Sequence, residues 1–443
     1  MITWFAYLTF ATAGPVDLHL AAGMHDQQAG EPERAVVHYK RCLAIEPDNS
    51  SCHWEIGWSF WSLGKWAQTV SHWETVQSQQ PNNDDVGKWL PTAKNNLAGM
   101  LRIERELQSA PATVRPALPQ GKILRMRLVG DIMMGTTSPH PTMYLPADDG
   151  VGYFSKVEPL LRDADMTFGN LEGPMCDDGR TDKCAPDRPC YAFRQPTRYA
   201  KHLVNAGFDM MSIANNHAMD FGEHCRQQTT KTLDLAGIGW SGPPGTIGTF
   251  EANGVKVGLV ALHSHKSSNY INDHETAKKL VTIAKRNHDI VILSFHGGAE
   301  GSGNMHVPDK MELFYGEKRG HLRRLARDMV GAGADIVVGH GPHVLRGLEL
   351  IDGHLVAYSL GNFGTFKRFN ISGHLGTTLV LEVELDHQGK LIRGKVLPVK
   401  LMGQGVPEPD PKGTAIALLR DLTNADFPNS GPTIGQDGTF APK

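Results

Sequence analysis

The chain has no excess of charge of either sign. Its 443 residues hold 44 Lys and Arg against 47 Asp and Glu, a formal net charge of -3. Nucleic acid is held by basic stripes or recognised motifs, and neither is present, so that class of partner is excluded. Membrane-spanning length is also missing at the start. The apolar run from Ile2 to Ala13 is too short to cross a bilayer, which takes about 20 residues. It ends in Ala11-Thr12-Ala13, a small-residue cleavage pattern, yet lacks the positive start of a signal peptide. Residues 1–13 read as a candidate export signal, with a first helix of the folded protein as the alternative. Export places the protein outside the cytoplasm, in the periplasm or cell envelope; the alternative leaves it in the cytoplasm. Cysteine is scarce, at six residues. No CxxC spacing links Cys176, Cys184, Cys190 and Cys225, which argues against a zinc knuckle. In an exported protein, one disulfide between two of Cys176, Cys184 and Cys190 is expected; in the cytoplasm these are free thiols.

What is present is ordinary in bulk, with 40% hydrophobic and 21% charged residues, and long enough for two or three domains. Near the start lies an internal repeat with a period of 34: Gly23 matches Gly57, Gly30 matches Gly64, Tyr39 matches Trp73, and Pro47 matches Pro81. That period and those small residues resemble the tetratricopeptide repeat, two helices closed by a proline. Residues 16–110 are read as such an array. Trp54, Trp58, Trp61, Trp66 and Trp73 are assigned to its core rather than to a binding surface. Residues 111–121, with Pro111, Pro116 and Pro119, read as a linker.

From Leu124 the pattern alternates. Apolar strands end in polar loops after Val129, Phe168, Ile213, Leu262, Phe295 and Val338. Helical stretches intervene at Gln195–Ala206, Glu223–Ala236, Asp273–Asn287 and Glu317–Ala332. Two closing strands follow, Thr377–Glu384 and Gly394–Lys400. The pattern is that of an α/β layered fold with its chemistry at the strand ends. The domain is bounded at 122–403. A Pro- and Gly-rich tail, 404–443, carries one short helix near Ala415–Asp421 and a mobile end.

The histidine count, 21, is high, and many of them fall beside glycine or asparagine in loops. Asp335 to Phe363 reads strand, tight loop, strand, turn, strand, with His340 and His343 three residues apart on the loop. The other strand ends supply Asp131, Asn170, Glu172, Asn216, His217, His296 and Glu300. Asp, Glu, Asn and His gathered at strand ends form the donor set of a hydrolytic metal centre. The expectation is that Asp131, Glu172, Asn216, His296, His340 and His343 converge on one point.

Six ordered motifs carry a further inference: GDIMMG, NLEGP, ANNHAMDFG, SFHGGAE, GHGPHV and YSLGNF. In this order they resemble the bacterial CapA family of capsule synthesis proteins, linked to poly-γ-glutamate, over about residues 124–400. The resemblance implies a metallophosphatase-like sheet sandwich flanked by helices. It implies metal ligands at Asp131, Glu172, Asn216, His296, His340 and His343, and a divalent ion, with manganese, zinc or iron the best matches. His217, with Asp220 and Glu300, is then catalytic, with His217 as general acid or oxyanion partner. Two departures stand out. Met133 replaces a histidine of the phosphatases, which removes a ligand of a second metal. Gly297 stands where relatives carry tryptophan, which predicts an open pocket wall beside His296.

Arg194, Asn170 and Lys266 are the candidate substrate-binding residues, with Arg198, Lys367 and Arg368 as further cations. Two readings follow. One is a metal-dependent hydrolase acting on an anionic capsule polymer or a phosphoester. The other is a non-catalytic accessory protein that binds polymer in the pocket and a partner protein through the helical repeats.

Overall fold

The computed structural model describes residues 14–108, 123–181, 183–184 and 190–442. The candidate export signal and the linker at 111–121 lie outside the described residues. The chain divides into two compact units between Leu101 and Arg102.

The first unit is helical: α1 (Pro15–Gln28), α2 (Pro32–Ile45), α3 (Ser50–Ser62), α4 (Trp66–Gln79) and α5 (Asp84–Gln108), the division falling within α5. Proline opens α1 and α2, where its missing N–H costs nothing. Asn49 caps α3 by accepting from Cys52 N at 3.0 Å. The repeat has a packing cause. A Cβ on Gly23 would stand 2.5 Å from the Tyr39 ring, and one on Gly57 2.1 Å from the Trp73 indole. Each glycine therefore lets the ring of the second helix lie on the first. Trp61, Trp66 and Trp73 are buried in this core and Trp54, Trp58 and Trp89 pack against it. A Cys42–Cys52 disulfide ties α2 to α3, which the sequence reading did not anticipate.

The second unit is a sandwich of two sheets. Its first half comprises β1 (Leu124–Met133), α6 (Glu158–Arg162), β2 (Met166–Leu171), α7 (Ala200–Ala206), β3 (Met210–Ser212), α8 (Gly222–Leu235) and β4 (Gly239–Ser241). Next come β5 (Gly248–Ala252), β6 (Val255–His263), β7 (Asn269–Tyr270), α9 (His274–Asn287) and β8 (Ile290–His296). The hairpin β9 (Glu312–Phe314) and β10 (Glu317–Gly320) precedes α10 (Leu322–Ala332), β11 (Ile336–His340), β12 (Leu345–Ile351) and β13 (His354–Leu360). The chain returns through β14 (Asn362–Thr365), β15 (Thr377–Leu385), β16 (Leu391–Met402), β17 (Val406–Pro409), α11 (Thr414–Asp426), β18 (Thr433–Ile434) and β19 (Thr439–Ala441).

One sheet runs β18-β19-β16-β15-β1-β2-β3-β4, with β14 beside β1 and β17 beside β16; the other runs β12-β13-β11-β8-β6-β5, with β7 beside β6. Within them β1 to β4 are parallel, as are β6, β8, β11 and β13. Between the sheets, Met126, Leu128 and Phe168 from one meet Leu259, Ile292 and Val338 from the other. Leu161, Leu203 and Leu233 of α6, α7 and α8 cover the outer face of the first sheet, against Val129, Ile132 and Met211. The buried stripes of α9 and α10 cover the second. The expected layered α/β sandwich is what the chain forms.

Three details differ from expectation. The helix expected from Glu317 begins at Leu322, because a turn at Tyr315-Gly316 folds Glu317 and Lys318 back onto Phe314 and Leu313. The helix expected from Gln195 begins as a 3-10 turn at Thr197, since the residue before Pro196 is pushed to extended backbone. The tail is built into the first sheet: β19 pairs with β16 and β18 with β19, and Ile434 and Phe440 are core residues.

Candidate metal centre

The site begins with an irregularity in β1. Leu124, Met126 and Leu128 point between the sheets, whereas Val129 and Ile132 join the outer core. The switch comes from a register shift against β2 between Leu128 and Asp131. Gly130 permits it: a Cβ there would lie 1.9 Å from the Gly361 carbonyl oxygen, to which Asp131 N donates at 2.9 Å. Asp131 is thereby set beside Asn170 on β2 and Asn362 on β14. The second sheet contributes imidazoles in register: His263, His296 and His340 stand side by side on β6, β8 and β11. His343, on the loop after β11, holds φ at 59°, a left-handed conformation unusual outside glycine.

These residues meet. One donor atom each from Asp131, Glu172 and His296 lies within 4.8 Å of the others. His343 Nδ1 is 3.0 Å from Asp131 Oδ2, and His340 Nδ1 is 3.4 Å from Asp131 Oδ1. The Nε2 atoms of His296, His343 and His217 all face Glu172 Oε1, at 3.5, 3.8 and 4.0 Å. Donors about 2.0–2.2 Å from a common ion stand roughly 3–4 Å apart, so these spacings fit a coordination shell. Both carboxylate oxygens of Glu172, both ring nitrogens of His296 and of His340, and Asn216 Oδ1 are buried without a hydrogen-bond partner among the described residues. Buried polar atoms are rarely left so. A divalent cation would satisfy them, and the set of imidazoles and carboxylates is one that binds such ions.

The charges agree. Burial works against the Asp131 charge, but the imidazoles of His340 and His343 outweigh it and hold the carboxyl well below the usual range. Burial, then the Asp131 charge, pushes Glu172 well above its ordinary value. Burial opposes protonation of His343, yet Glu172, Asp131 and Glu300 raise it to about 10. Burial holds His296 and His263 well below the usual imidazole value. A site that binds protons at Glu172 and His343 exchanges them for a cation, so metal affinity rises with pH.

Beside the cluster, His217 is held from two sides. Its Nδ1 is 2.7 Å from Asp220 Oδ2, and its ring stacks on Phe193 at 4.1 Å between centroids. Burial lowers its basicity despite Asp220. Glu300 Oε2 stands 3.9 Å from His343 Nε2, and Arg319 Nη2 donates to Glu300 Oε1 at 3.0 Å. Asn170, expected to meet substrate, is fully buried: it donates to Asp131 Oδ1 at 2.8 Å and accepts from Asn215 at 3.3 Å, so it orients a ligand instead. Arg194 donates to Gly179 O and Thr137 Oγ1 and lies over the Phe221 ring, bracing its own loop. Lys266 lies over the Tyr270 ring.

The open wall expected at Gly297 is closed. A Cβ there would meet the Arg319 carbonyl at 2.6 Å and Ile271 at 2.7 Å, so the hairpin backbone fills the space of a tryptophan. Sequence reasoning missed His263, Arg319, Asn215 and Lys183. For His263 the signal was available, a histidine ending a strand as His296 and His340 do. Met133 offers no donor, as its sulfur accepts from Gly135 N at 3.3 Å. A second group, Cys176, Asp178 and His224, is also close, but Cys176 is bonded to Cys225 and has no thiolate to give.

Fold and donor set together define a layered α/β protein with a carboxylate–imidazole centre suited to a divalent cation. Residues 125–366 match the family described as bacterial capsule synthesis protein PGA_cap, and the chain belongs to that family. It is 30% identical over 258 residues to the PGA biosynthesis protein CapA of Bacillus subtilis (strain 168), covering 54% of this chain and 63% of that protein, less than two thirds of its length. It is 28% identical over 308 residues to the capsule biosynthesis protein CapA of Bacillus anthracis, covering 65% and 70%. Among solved structures, the purple acid phosphatase PPD1 of yellow lupin aligns with 64% of this chain and 52% of its own, at 11% identity and a TM-score of 0.35.

Proposed function

We propose that this capsule synthesis protein is a metal-dependent hydrolase acting on an anionic capsule polymer, poly-γ-glutamate in particular, or on a phosphoester. The observation that carries the reading is the convergence of Asp131, Glu172, His296, His340 and His343, with buried donor atoms that have no protein partner among the described residues. Those five residues would hold the ion, and Asn216 Oδ1, buried without a hydrogen-bond partner among the described residues, is a candidate further donor; manganese, zinc and iron suit the set. Such an ion supplies Lewis-acid polarisation of an acyl or phosphoryl oxygen and lowers the pKa of water. His217 enters as a neutral imidazole. It accepts a proton at Nε2 from the attacking water and returns it to the leaving group. Asp220 fixes the ring, and Arg319 sets Glu300 beside His343. Lys266 and Lys367 supply positive charge for the polymer; Arg194 braces its own loop and Arg198 pairs with Asp149.

Three disulfides, with every described cysteine paired, support a place outside the cytoplasm. No helix among the described residues is long and apolar enough to cross a membrane. The helical repeats are the surface for a protein partner of the synthesis machinery. The test is metal analysis of the purified protein, then hydrolysis assays on poly-γ-glutamate and a generic phosphoester with manganese, zinc and iron. Hydrolysis of neither with any of them removes the enzyme reading. The second reading, a non-catalytic polymer-binding accessory protein, is favoured by Met133, whose occupied sulfur leaves the place of a second metal without a ligand.

A further inference from the structure

Asp220 is buried, and each of its oxygens is committed. Oδ2 accepts from Phe193 N at 2.8 Å and from His217 Nδ1 at 2.7 Å. Oδ1 accepts from Lys183 Nζ at 2.6 Å, and the same ammonium is 3.2 Å from His217 Nδ1. A buried carboxylate is stable as an ion only when paired, and Lys183 is the cation beside this one. An ionised carboxylate accepts hydrogen bonds and donates none. The short contact to His217 therefore requires the ring proton on Nδ1, which leaves the Nε2 lone pair facing Glu172 Oε1 at 4.0 Å. Replacing Lys183 by an apolar residue removes the donor that pins Oδ1. The carboxylate can then rotate, Oδ2 is no longer held on Nδ1, and nothing fixes the ring proton to that nitrogen.

Lys183 is brought there by covalent means. Cys184, the next residue, is bonded to Cys190 with Cα atoms 5.3 Å apart. Arg368 donates to Cys190 O at 2.8 Å while lying over Tyr144 and Tyr191. Cys176, at the start of the same segment, is bonded to Cys225 on α8, the helix that follows Asp220. One bridge anchors the residue next to Lys183, and the other ties Cys176 to the helix that follows the His217 loop.

We propose that Lys183 is a positioning residue of this site: it holds Asp220 as an acceptor and so sets the His217 ring with Nε2 bare toward Glu172, and the Cys184–Cys190 bridge keeps it in reach. The consequence for turnover rests on the hydrolase reading; the consequence for the ring does not.

The test uses the full-length chain loaded with zinc, which is diamagnetic, as wild type, Lys183→Met, Lys183→Arg and the Cys184→Ser/Cys190→Ser pair. Long-range proton–nitrogen spectra of labelled histidines report the His217 tautomer. Zinc content and melting temperature serve as controls. Wild type shows His217 protonated at Nδ1 and bare at Nε2. Lys183→Met shows the opposite or mixed tautomer, with kcat lower by about tenfold or more and KM changed by less than about threefold. Lys183→Arg restores both, and the cysteine pair falls between. Wild-type ring signals and turnover in Lys183→Met overturn the proposal. If Lys183→Met does not fold, the same wild-type result in the cysteine pair overturns it. If wild type hydrolyses no substrate, the hydrolase reading falls and the ring signals alone decide on Lys183.

Discussion

His343 Nδ1 and Asp131 Oδ2 lie 3.0 Å apart although 212 positions separate them in the chain. One stands on the loop leaving β11 in the second sheet, the other near the end of β1 in the first. The centre therefore exists only when the two sheets are packed together, and both sheets supply its ligands.

Removing a ligand and removing the proton carrier have different signatures. His340→Ala takes away a buried imidazole whose Nδ1 lies 3.4 Å from Asp131 Oδ1, and metal content falls. His217→Ala leaves metal content and melting temperature near wild type while turnover falls by roughly a hundredfold or more, the range for a proton-transfer group. Metal analysis, thermal melting and turnover on the two variants check this. Equal loss of metal from both would place His217 among the ligands.

The left-handed backbone at His343 gives a second separation. His343→Gly and His343→Val both lose the ligand, but a β-branched side chain at φ 59° adds strain of about 1–2 kcal/mol or more. The valine variant melts below the glycine variant. Equal melting temperatures would mean that the loop relaxes to another conformation.

In the helical unit, Gly57→Ala places a methyl where the Trp73 indole lies. Overpacking of this kind costs about 1–3 kcal/mol. Six of the seven described tryptophans, at 54, 58, 61, 66, 73 and 89, lie in this unit, so fluorescence-detected denaturant unfolding reads it directly. The midpoint falls in Gly57→Ala; an unchanged midpoint would show that the helix pair can part.

The same unit responds to acid. Burial, followed by the charges of His53 and Lys40, lowers His72 from 6.5 to about 4. The unfolded chain takes up this proton near pH 6.5 and the folded chain only near 4. The contribution of His72 is intact above pH 6.5 and is lost as pH falls toward 4. The tryptophan-detected midpoint drops between pH 7 and 4.5, and drops less in His72→Gln. An equal drop in the variant would assign the effect to other groups.

Much of this was legible in the chain. The parallel strands run apolar to a polar end, so Asp131, Glu172, Asn216, His296, His340 and His343 could be picked out as candidates from periodicity and motif. The helical repeat was legible because packing Tyr39 on Gly23 and Trp73 on Gly57 imposes a spacing. What stayed hidden depends on contacts between distant segments. Arg319 meets Glu300 only because a hairpin precedes α10, and that same hairpin fills the wall at Gly297. Lys183 reaches Asp220 across 37 positions of sequence, next to a cysteine bonded to Cys190. Asn170 stood beside Glu172 in sequence and looked accessible, but neighbouring strands bury it against Asp131. The tail looked loose by composition, since the pairing of β19 with β16 supplies order that no local pattern encodes.

The Cys42–Cys52 bridge has a mechanical consequence. Stacked helical repeats touch only their neighbours, and such arrays can fray or be pulled apart one repeat at a time. Here the second helix of one repeat is bonded to the first helix of the next. Tension applied along the array cannot peel the first pair from the second until a covalent bond breaks, and two chains cannot exchange that pair. In an oxidising setting the two repeats bear load as one piece, and a reducing one turns them back into separable links.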